Sequence, residues 1–249
     1  MQVRYQNCPI IEVVIEFRLP SDTNWDQTVA GDVHRELHDM FPRKETRKQH
    51  ALSVSFQSEQ IQQEVQTTER LMFLNSEGNR LIQIEKNFLA LNILKPYPKW
   101  ENVRPQFEKI YKVLNEYVTF DRIEFAQLQY VNRIEIPGVL SNLDKFFAIR
   151  PEFSSPLGQK VTNFMLASQV SMNNDRDNCG IILAGPGTIL SGGDTAMLDL
   201  RYYLAQLGTV KQENFLDWLD NAHKQLSELF EQSITPQLRE HFQSATVNI

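Results

Sequence analysis

The sequence predicts an α+β protein in which antiparallel sheet is covered by helices on one face. Three observations carry this prediction. Nearly every strand-like segment alternates apolar with polar side chains, which is typical of a strand buried on one face only. The two longest helix-like segments, at about 100–118 and 212–233, each carry a single apolar stripe. The order of elements repeats in the two halves of the 249-residue chain.

Residues 122–137, RIEFAQLQYVNRIEIP, form the strand around which both halves are arranged. Its apolar face is predicted to hold Leu128, Tyr130, Ile134 and Ile136. Its polar face is predicted to hold Gln127, Gln129, Arg133 and Glu135. This period of two indicates a long, half-buried strand.

The first half begins with an alternating strand at 10–19, followed by a helix at about 25–41 that Pro42 ends. The basic segment 43–50 is predicted to be a loop, and 52–56 a short strand. The Gln-rich segment 57–69 is ambiguous between extended and helical states. A meander then runs from Leu71 to Leu94, with turns at 75–79 and 86–87, before the helix at 100–118.

The second half opens with the central strand and continues with a short helix near 143–147 and a loop at 151–158. Further strands are predicted at 164–172, 179–185 and 196–204, the first two separated by an Asn- and Asp-rich turn. The long helix at 212–233 follows. A last short helix begins at Pro236.

The two halves therefore read as a β-α-β(4)-α unit over 1–121 and a β-α-β(3-4)-α unit over 122–249. They could be two domains or share one continuous domain. This order of elements resembles the saddle of the TATA-box-binding-protein-like fold. That resemblance is topological and assigns no function.

The composition excludes some classes of function. A net charge of −6 and a pI near 5.5 disfavour nucleic acid as a partner, because nucleic-acid surfaces need a basic field. No apolar run is long enough for a membrane span, and the N-terminal residues do not resemble a signal peptide, so we expect a cytoplasmic protein. Cys8 and Cys179 are predicted to be buried or partly buried thiols.

Two segments invite a chemical interpretation that their details disfavour. His34 and His38 lie one helical turn apart but lack the Glu placement of a zinc protease helix, so a solvated pair is favoured. The glycines of AGPGTILSGGD have Gly193 and Asp194 where a phosphate-binding loop needs Lys and Ser or Thr, so a hairpin or bulge is favoured. No catalytic, metal-binding or cofactor motif is predicted.

The candidate binding residues project from the polar faces of the predicted strands. They are Arg18, Glu85, Arg133, Glu135, Arg201 and Tyr203. One interpretation is a solvent-exposed face of the sheet, on which charged side chains pair across strands. The other is a groove in which the three arginines bind a phosphate or carboxylate group of a ligand or partner. Tyr97 and Trp100 are likewise interpreted either as a hydrophobic staple at a helix start, which we favour, or as an aromatic ligand platform.

Four segments, CPIIEVVIEFR, NSEGNRLIQIEKNFLALN, PYPKWENV and QLQYVNRIEIP, give the chain a resemblance to a sporadically distributed prokaryotic family that is uncharacterised. The similarity covers most of the chain and is weakest in the Gln-rich segment and the C-terminal third. The family often begins with Pro-Pro where this chain has Cys8 and Pro9. Its motifs contain no active site, and its patchy distribution suggests a role in phage defence or a mobile element.

Together these patterns favour a non-enzymatic protein-binding or adaptor module that engages a protein partner or another copy of itself. The alternative is a sensor or hydrolase for a small ligand, such as a nucleotide or another anion, that uses the polar sheet face.

Overall fold

The computed structural model describes residues 5–57, 60–151, 163–185 and 194–243, with side chains in these ranges described outside 48–69. The strands are β1 Ile10–Arg18, β2 Arg43–Gln57, β3 Gln60–Leu74, β4 Arg80–Glu85, β5 Phe88–Leu94, β6 Arg122–Ile123, β7 Phe125–Glu135, β8 Phe164–Met172, β9 Asp177–Gly185, β10 Thr195–Leu204 and β11 Val210–Lys211. The helices are α1 Val29–Glu36, α2 Trp100–Tyr117, α3 Leu143–Phe146, α4 Phe215–Ser233 and α5 Pro236–Gln243.

Nine of these strands form one sheet in the order β2-β3-β4-β5-β1-β7-β10-β9-β8, and every neighbouring pair is antiparallel. The predicted α+β class with a large antiparallel sheet is confirmed. β1 pairs with β7, with Val13 opposite Tyr130 and Ile15 opposite Leu128. Strands from both halves of the chain therefore lie in the same sheet.

The predicted alternation separates a buried inner face from an outer face. Along β7 the burial of side chains alternates residue by residue, and Leu128, Tyr130 and Ile134 are buried as predicted. On β10 the buried side chains include Leu198, Leu200, Tyr202 and Leu204, also as predicted. Because adjacent strands keep these positions in register, the inner face forms one continuous apolar layer.

Helices α2 and α4 cover the inner face near the centre of the sheet. Phe17 of β1 meets Phe107 of α2 and Phe215 of α4, with ring centroids 6.1 and 5.3 Å away. Tyr111 of α2 lies 5.2 Å from the Phe215 ring and donates a 3.1 Å hydrogen bond to the carbonyl of Gln212. Such aromatic pairs are worth about 0.5–1.5 kcal/mol each beyond their buried area. The cluster thus joins the first and second halves.

The segment 43–50, predicted to be a loop, is instead the start of β2, so that prediction is wrong. β2 pairs residue for residue with β3, from Arg43 opposite Leu74 to Gln57 opposite Gln60. This ladder satisfies backbone groups through non-local pairing, which a basic and polar composition does not reveal. Only 71–74 of β3 also pair with β4, so among the described residues the hairpin continues past β4 as a two-stranded arm.

Two further predicted elements differ from the structure in their bounds. The first helix is Val29–Glu36 rather than about 25–41, so Pro42 does not end it. Before the helix, the Asp26 carboxylate accepts the Thr28 backbone N–H at 2.7 Å and holds a turn there. The central strand is split at Glu124, whose N–H donates to the carbonyl of Arg18 at 2.9 Å. β6 therefore leaves the large sheet and pairs with β11.

Two predicted segments lie wholly or largely outside the described residues. They are the loop at 151–158 and the glycine-rich segment between β9 and β10. Among the helices that the structure describes, none has the length and apolarity needed to cross a membrane.

Candidate functional site

The predicted binding residues lie on the outer face of the sheet but do not converge. Arg18 lies opposite Phe125 of β7, and Arg201 lies opposite Gln129. Arg133 lies four residues further along β7. With about 3.4 Å per residue, eight residues separate Phe125 from Arg133 by roughly 27 Å. The three arginines are spread along the sheet and form no single anion-binding cluster.

Each of these arginines also has a carboxylate partner two residues away on its own strand. The ion pairs join Arg18 to Glu16 at 3.5 Å, Arg133 to Glu135 at 2.5 Å, and Arg201 to Asp199 at 2.6 Å. The Arg133 Nε lies close to the Glu135 carboxylate but makes no hydrogen bond with it. Pairs this exposed are worth about 0–1 kcal/mol each. Their main consequence is to neutralise the arginines locally.

Glu85 belongs to a polar network that the sequence did not reveal. Arg70 of β3 donates to both Glu85 oxygens, at 3.0 and 3.3 Å, and to Gln83 at 3.2 Å. Gln83 donates to Asn92 at 2.7 Å, and Asn92 donates to Glu12 at 2.8 Å. Arg70 also lies over the Phe88 ring, 4.1 Å from its centroid. These contacts cross four strands and stabilise the sheet.

Tyr203 also makes hydrogen bonds between strands, on the β8 side of the sheet. Its hydroxyl donates to Gln169 of β8 at 2.5 Å and accepts from Asn178 of β9 at 3.4 Å. It therefore ties β10 to the two strands beyond it.

A cleft of about 1350 Å³ lies at one end of the sheet. The N-terminal segment 5–11, the approach to α2, the end of β7 and the helices α4 and α5 form its walls. The aromatic side chains that line it are Tyr5, Tyr97, Trp100, Tyr130, Phe230 and Phe242. Its volume exceeds the roughly 300–1,000 Å³ of typical ligand pockets.

The wall of this cleft contains a buried tyrosine-histidine pair. The Tyr130 hydroxyl and His223 Nδ1 share a 2.8 Å hydrogen bond, and the Trp100 indole stacks on the imidazole with centroids 4.3 Å apart. Burial lowers the pKa of His223 to about 4, with Glu101 opposing the shift, so the imidazole is neutral at pH 7. Trp100 also donates to Asp220 at 3.1 Å.

Sequence reasoning did not identify His223. It lies next to Ala222, on the buried stripe of α4 that includes Leu219 and Leu226. A histidine beside an apolar stripe was the available signal. Its partners Trp100 and Tyr130 lie about a hundred residues away in the chain, so only the fold could supply them. Trp100 is 8% exposed and bridges two helices, so its role extends beyond a staple at one helix start.

The remaining reactive side chains favour structural roles. Burial raises the pKa of both thiols, that of Cys179 to about 11, so each is protonated at pH 7. Cys8 is half-buried and Cys179 buried, as predicted. His34 is half-buried against Phe73, with ring centroids 4.6 Å apart, while His38 is exposed, so the prediction of a solvated pair is only half right. In the described ranges no group of three or more His, Cys, Asp or Glu could hold a metal ion.

A buried carboxylate, Asp177, lies at the ends of the strands that are opposite to the cleft. Asp177 is fully buried and accepts hydrogen bonds from Asn173 at 2.6 Å, Arg176 at 2.6 Å, Tyr202 at 2.9 Å and Trp218 at 2.9 Å. Burial would raise the pKa of this carboxyl, but these hydrogen bonds together lower it below its ordinary value. Asp177 thereby ties the turn before β9 to β10 and α4.

The edge strand β8 is unusual in its composition. All nine of its residues, FMLASQVSM, are uncharged, and it pairs with β9 without a register shift. Within the described part of the chain, β9 is its only strand neighbour. Met165 is 75% exposed and Val170 is 57% exposed. Edge strands normally carry charges, proline or a bulge that prevent pairing with other chains, and β8 has none of these devices.

No protein-family model matches the sequence, and no curated protein shows significant similarity to it.

Proposed function

We propose that this protein is a non-enzymatic protein-binding module whose partner adds a strand to the edge of β8. The observation that carries the proposal is the uncharged, regular and solvent-exposed edge that β8 presents. An edge strand exposes a row of backbone N–H and C=O groups, and an added strand satisfies them. The backbone then supplies affinity, and the exposed side chains supply selectivity.

The charges of the outer face support binding of protein rather than of phosphate. Arg18, Arg133 and Arg201 each lie beside a carboxylate on the same strand. A phosphate group would have to compete with that carboxylate at each position. The net charge of −6 likewise favours a protein partner over nucleic acid.

The proposal includes an internal duplication. Outward from the central β1–β7 pair, β1 is followed by β5, β4 and β3, and β7 by β10, β9 and β8. The long helices α2 and α4 come after β5 and β10 in the chain. This correspondence supports two related halves, divided near 121/122, arranged like a TATA-box-binding-protein-like saddle. In such an arrangement β8 corresponds to β3, and no strand among the described residues corresponds to β2 at its edge.

The cellular setting that we propose is bacterial phage defence or a mobile element, on the basis of the family resemblance. Phage infection of a sensitive bacterium, with and without the expressed protein, tests this setting. We expect fewer plaques with the wild-type protein and no protection with Val170→Lys, which places a charge on the binding edge. Equal plaque numbers with and without the wild-type protein would contradict the setting.

In-cell photo-crosslinking tests the binding function directly. A photoreactive amino acid at Val170 should give a covalent protein adduct after irradiation of cells that naturally produce the protein. Leu207 is the matched control because it is equally apolar and 59% exposed but lies outside the strand. An adduct at 170 and not at 207 supports strand addition. No protein adduct at 170 would overturn it.

A second candidate function, a small-ligand sensor, is favoured by the cleft that contains Tyr130 and His223. A thermal-shift screen with nucleotides and metal ions tests it. A ligand at a hundredfold excess over its Kd should raise stability by about 2.7 kcal/mol. Tyr130→Phe should reduce that gain, whereas Tyr203→Phe on the outer face should not. A gain that both variants retain would place the ligand elsewhere.

A further inference from the structure

One antiparallel register of two β8 strands brings apolar side chains together on the inner side of the sheet. When two copies of β8 pair about Ser168, all nine residues find partners. On the inner side of the sheet, Phe164 then lies opposite Met172, and Leu166 lies opposite Val170. These are apolar pairs, which stabilise neighbouring strands. Shifting the centre by one residue leaves positions at both ends unpaired.

On the outer side, this pairing places apolar residues opposite polar ones. Met165 would lie opposite Ser171, and Ala167 opposite Gln169. No two like charges meet, because β8 carries no charge. At the centre, on the inner side, Ser168 of one copy lies opposite Ser168 of the other, and this side chain is exposed in the single chain. A twofold axis through this position makes the interface isologous.

We propose that the strand added to β8 is β8 of a second copy of this chain, paired antiparallel about Ser168. The inference rests on the proposed function and names its partner. The resulting homodimer has one continuous sheet of eighteen strands, nine from each copy. It buries the apolar side chains of both edges and leaves the outer faces on the same side of the joined sheet.

Charge substitutions at Ser168 test the register by sedimentation velocity. Ser168→Lys and Ser168→Glu each place two like charges directly opposite one another, so each alone should weaken dimerisation by up to about fivefold. A mixture of the two variants should form a heterodimer, because opposite charges then meet on the axis. This rescue also shows that both variants remain folded.

Ser171 provides the matched control. In the proposed register it faces Met165, so mixing Ser171→Lys with Ser171→Glu brings no opposite charges together. The homodimer would be overturned if the wild-type chain stays monomeric at every concentration. The register would be overturned if the Ser168 mixture dimerises no better than either variant alone, or if the Ser171 mixture shows the same rescue.

The two levels of the proposal fail differently. A monomeric wild-type chain that still gives a covalent adduct with another protein at position 170 overturns the homodimer and leaves strand addition standing. A monomeric chain with no adduct at that position overturns both.

Discussion

Replacement of Asp177 by Asn should cause a large loss of stability. The side chain is fully buried, and its two oxygens accept hydrogen bonds from Asn173, Arg176, Tyr202 and Trp218. An amide keeps one oxygen but puts an NH₂ group in place of the other. That group would meet donors and leave the Arg176 guanidinium without its carboxylate.

The expected magnitude follows from these contacts. Removing one partner of a buried, hydrogen-bonded ion pair costs about 3–5 kcal/mol. Arg176 is partly exposed and can be rehydrated, so we expect about 3 kcal/mol, the lower end of that range. A domain of this size loses roughly 2–4 °C in Tm per kcal/mol, which predicts a fall of about 6–12 °C.

Urea denaturation at pH 7, followed by tryptophan fluorescence, measures this loss. Asp175→Asn is the matched control, because Asp175 is exposed in the same turn and its positive φ of 64° suits asparagine. The folded state lowers the pKa of Asp177 below the ordinary carboxyl value of about 3.9. The contribution of Asp177 to the free energy of unfolding is therefore fully present at pH values above about 3.9 and is lost as the pH falls further. The difference between wild type and Asp177→Asn should therefore shrink in acid.

The reasoning would be refuted if Asp177→Asn and Asp175→Asn had the same free energy of unfolding at pH 7. It would also be refuted if the deficit of Asp177→Asn grew as the pH fell below 3.9, because the native carboxylate would then not be the stabilised form.

Two other predictions test the core and the cleft. Burial lowers the pKa of His223 to about 4, from about 6.5 in the unfolded chain. The unfolded chain therefore takes up a proton at His223 before the folded protein does. The free energy of unfolding should fall by up to about 3 kcal/mol through this residue as the pH drops from 6.5 to 4. Denaturation of His223→Gln across that window should show a smaller pH dependence, and an unchanged slope would contradict the assignment. Ile134→Asp should destabilise the protein far more than Val131→Asp, because Ile134 is 1% exposed on the inner face and Val131 is half-buried on the outer face. Equal losses in thermal denaturation would mean that both faces of β7 are buried.

Elements with a strong local period could be predicted from the sequence. β1, β7 and β10 alternate cleanly, and α2 and α4 carry clear apolar stripes, so their type and the buried side of each followed from residue pattern alone. The start of β2 could not be predicted in this way. Its residues are basic and polar, and they become a strand only because β3 pairs with them.

The candidate sites likewise combine features that follow from the local sequence pattern with features that depend on the fold. The outer-face position of Arg133 and Arg201 followed from alternation, but their same-strand carboxylate pairs and their wide separation required the structure. The contact of Trp100 with His223 spans 123 positions in the chain. The strand character of β8 was predicted, whereas its place at the edge depends on the order of all nine strands.

Hydrogen exchange of the β8 backbone tests the central claim most directly. The peptide that covers 164–172 should exchange more slowly at high protein concentration than at low concentration, because strand addition protects the outward-facing amides of β8. The peptide that covers 177–185 is the internal control, since β9 already has β8 and β10 on its two sides. Concentration-dependent protection of β8 alone is the predicted result. Exchange of β8 that is equally fast at all concentrations would contradict self-association through this edge.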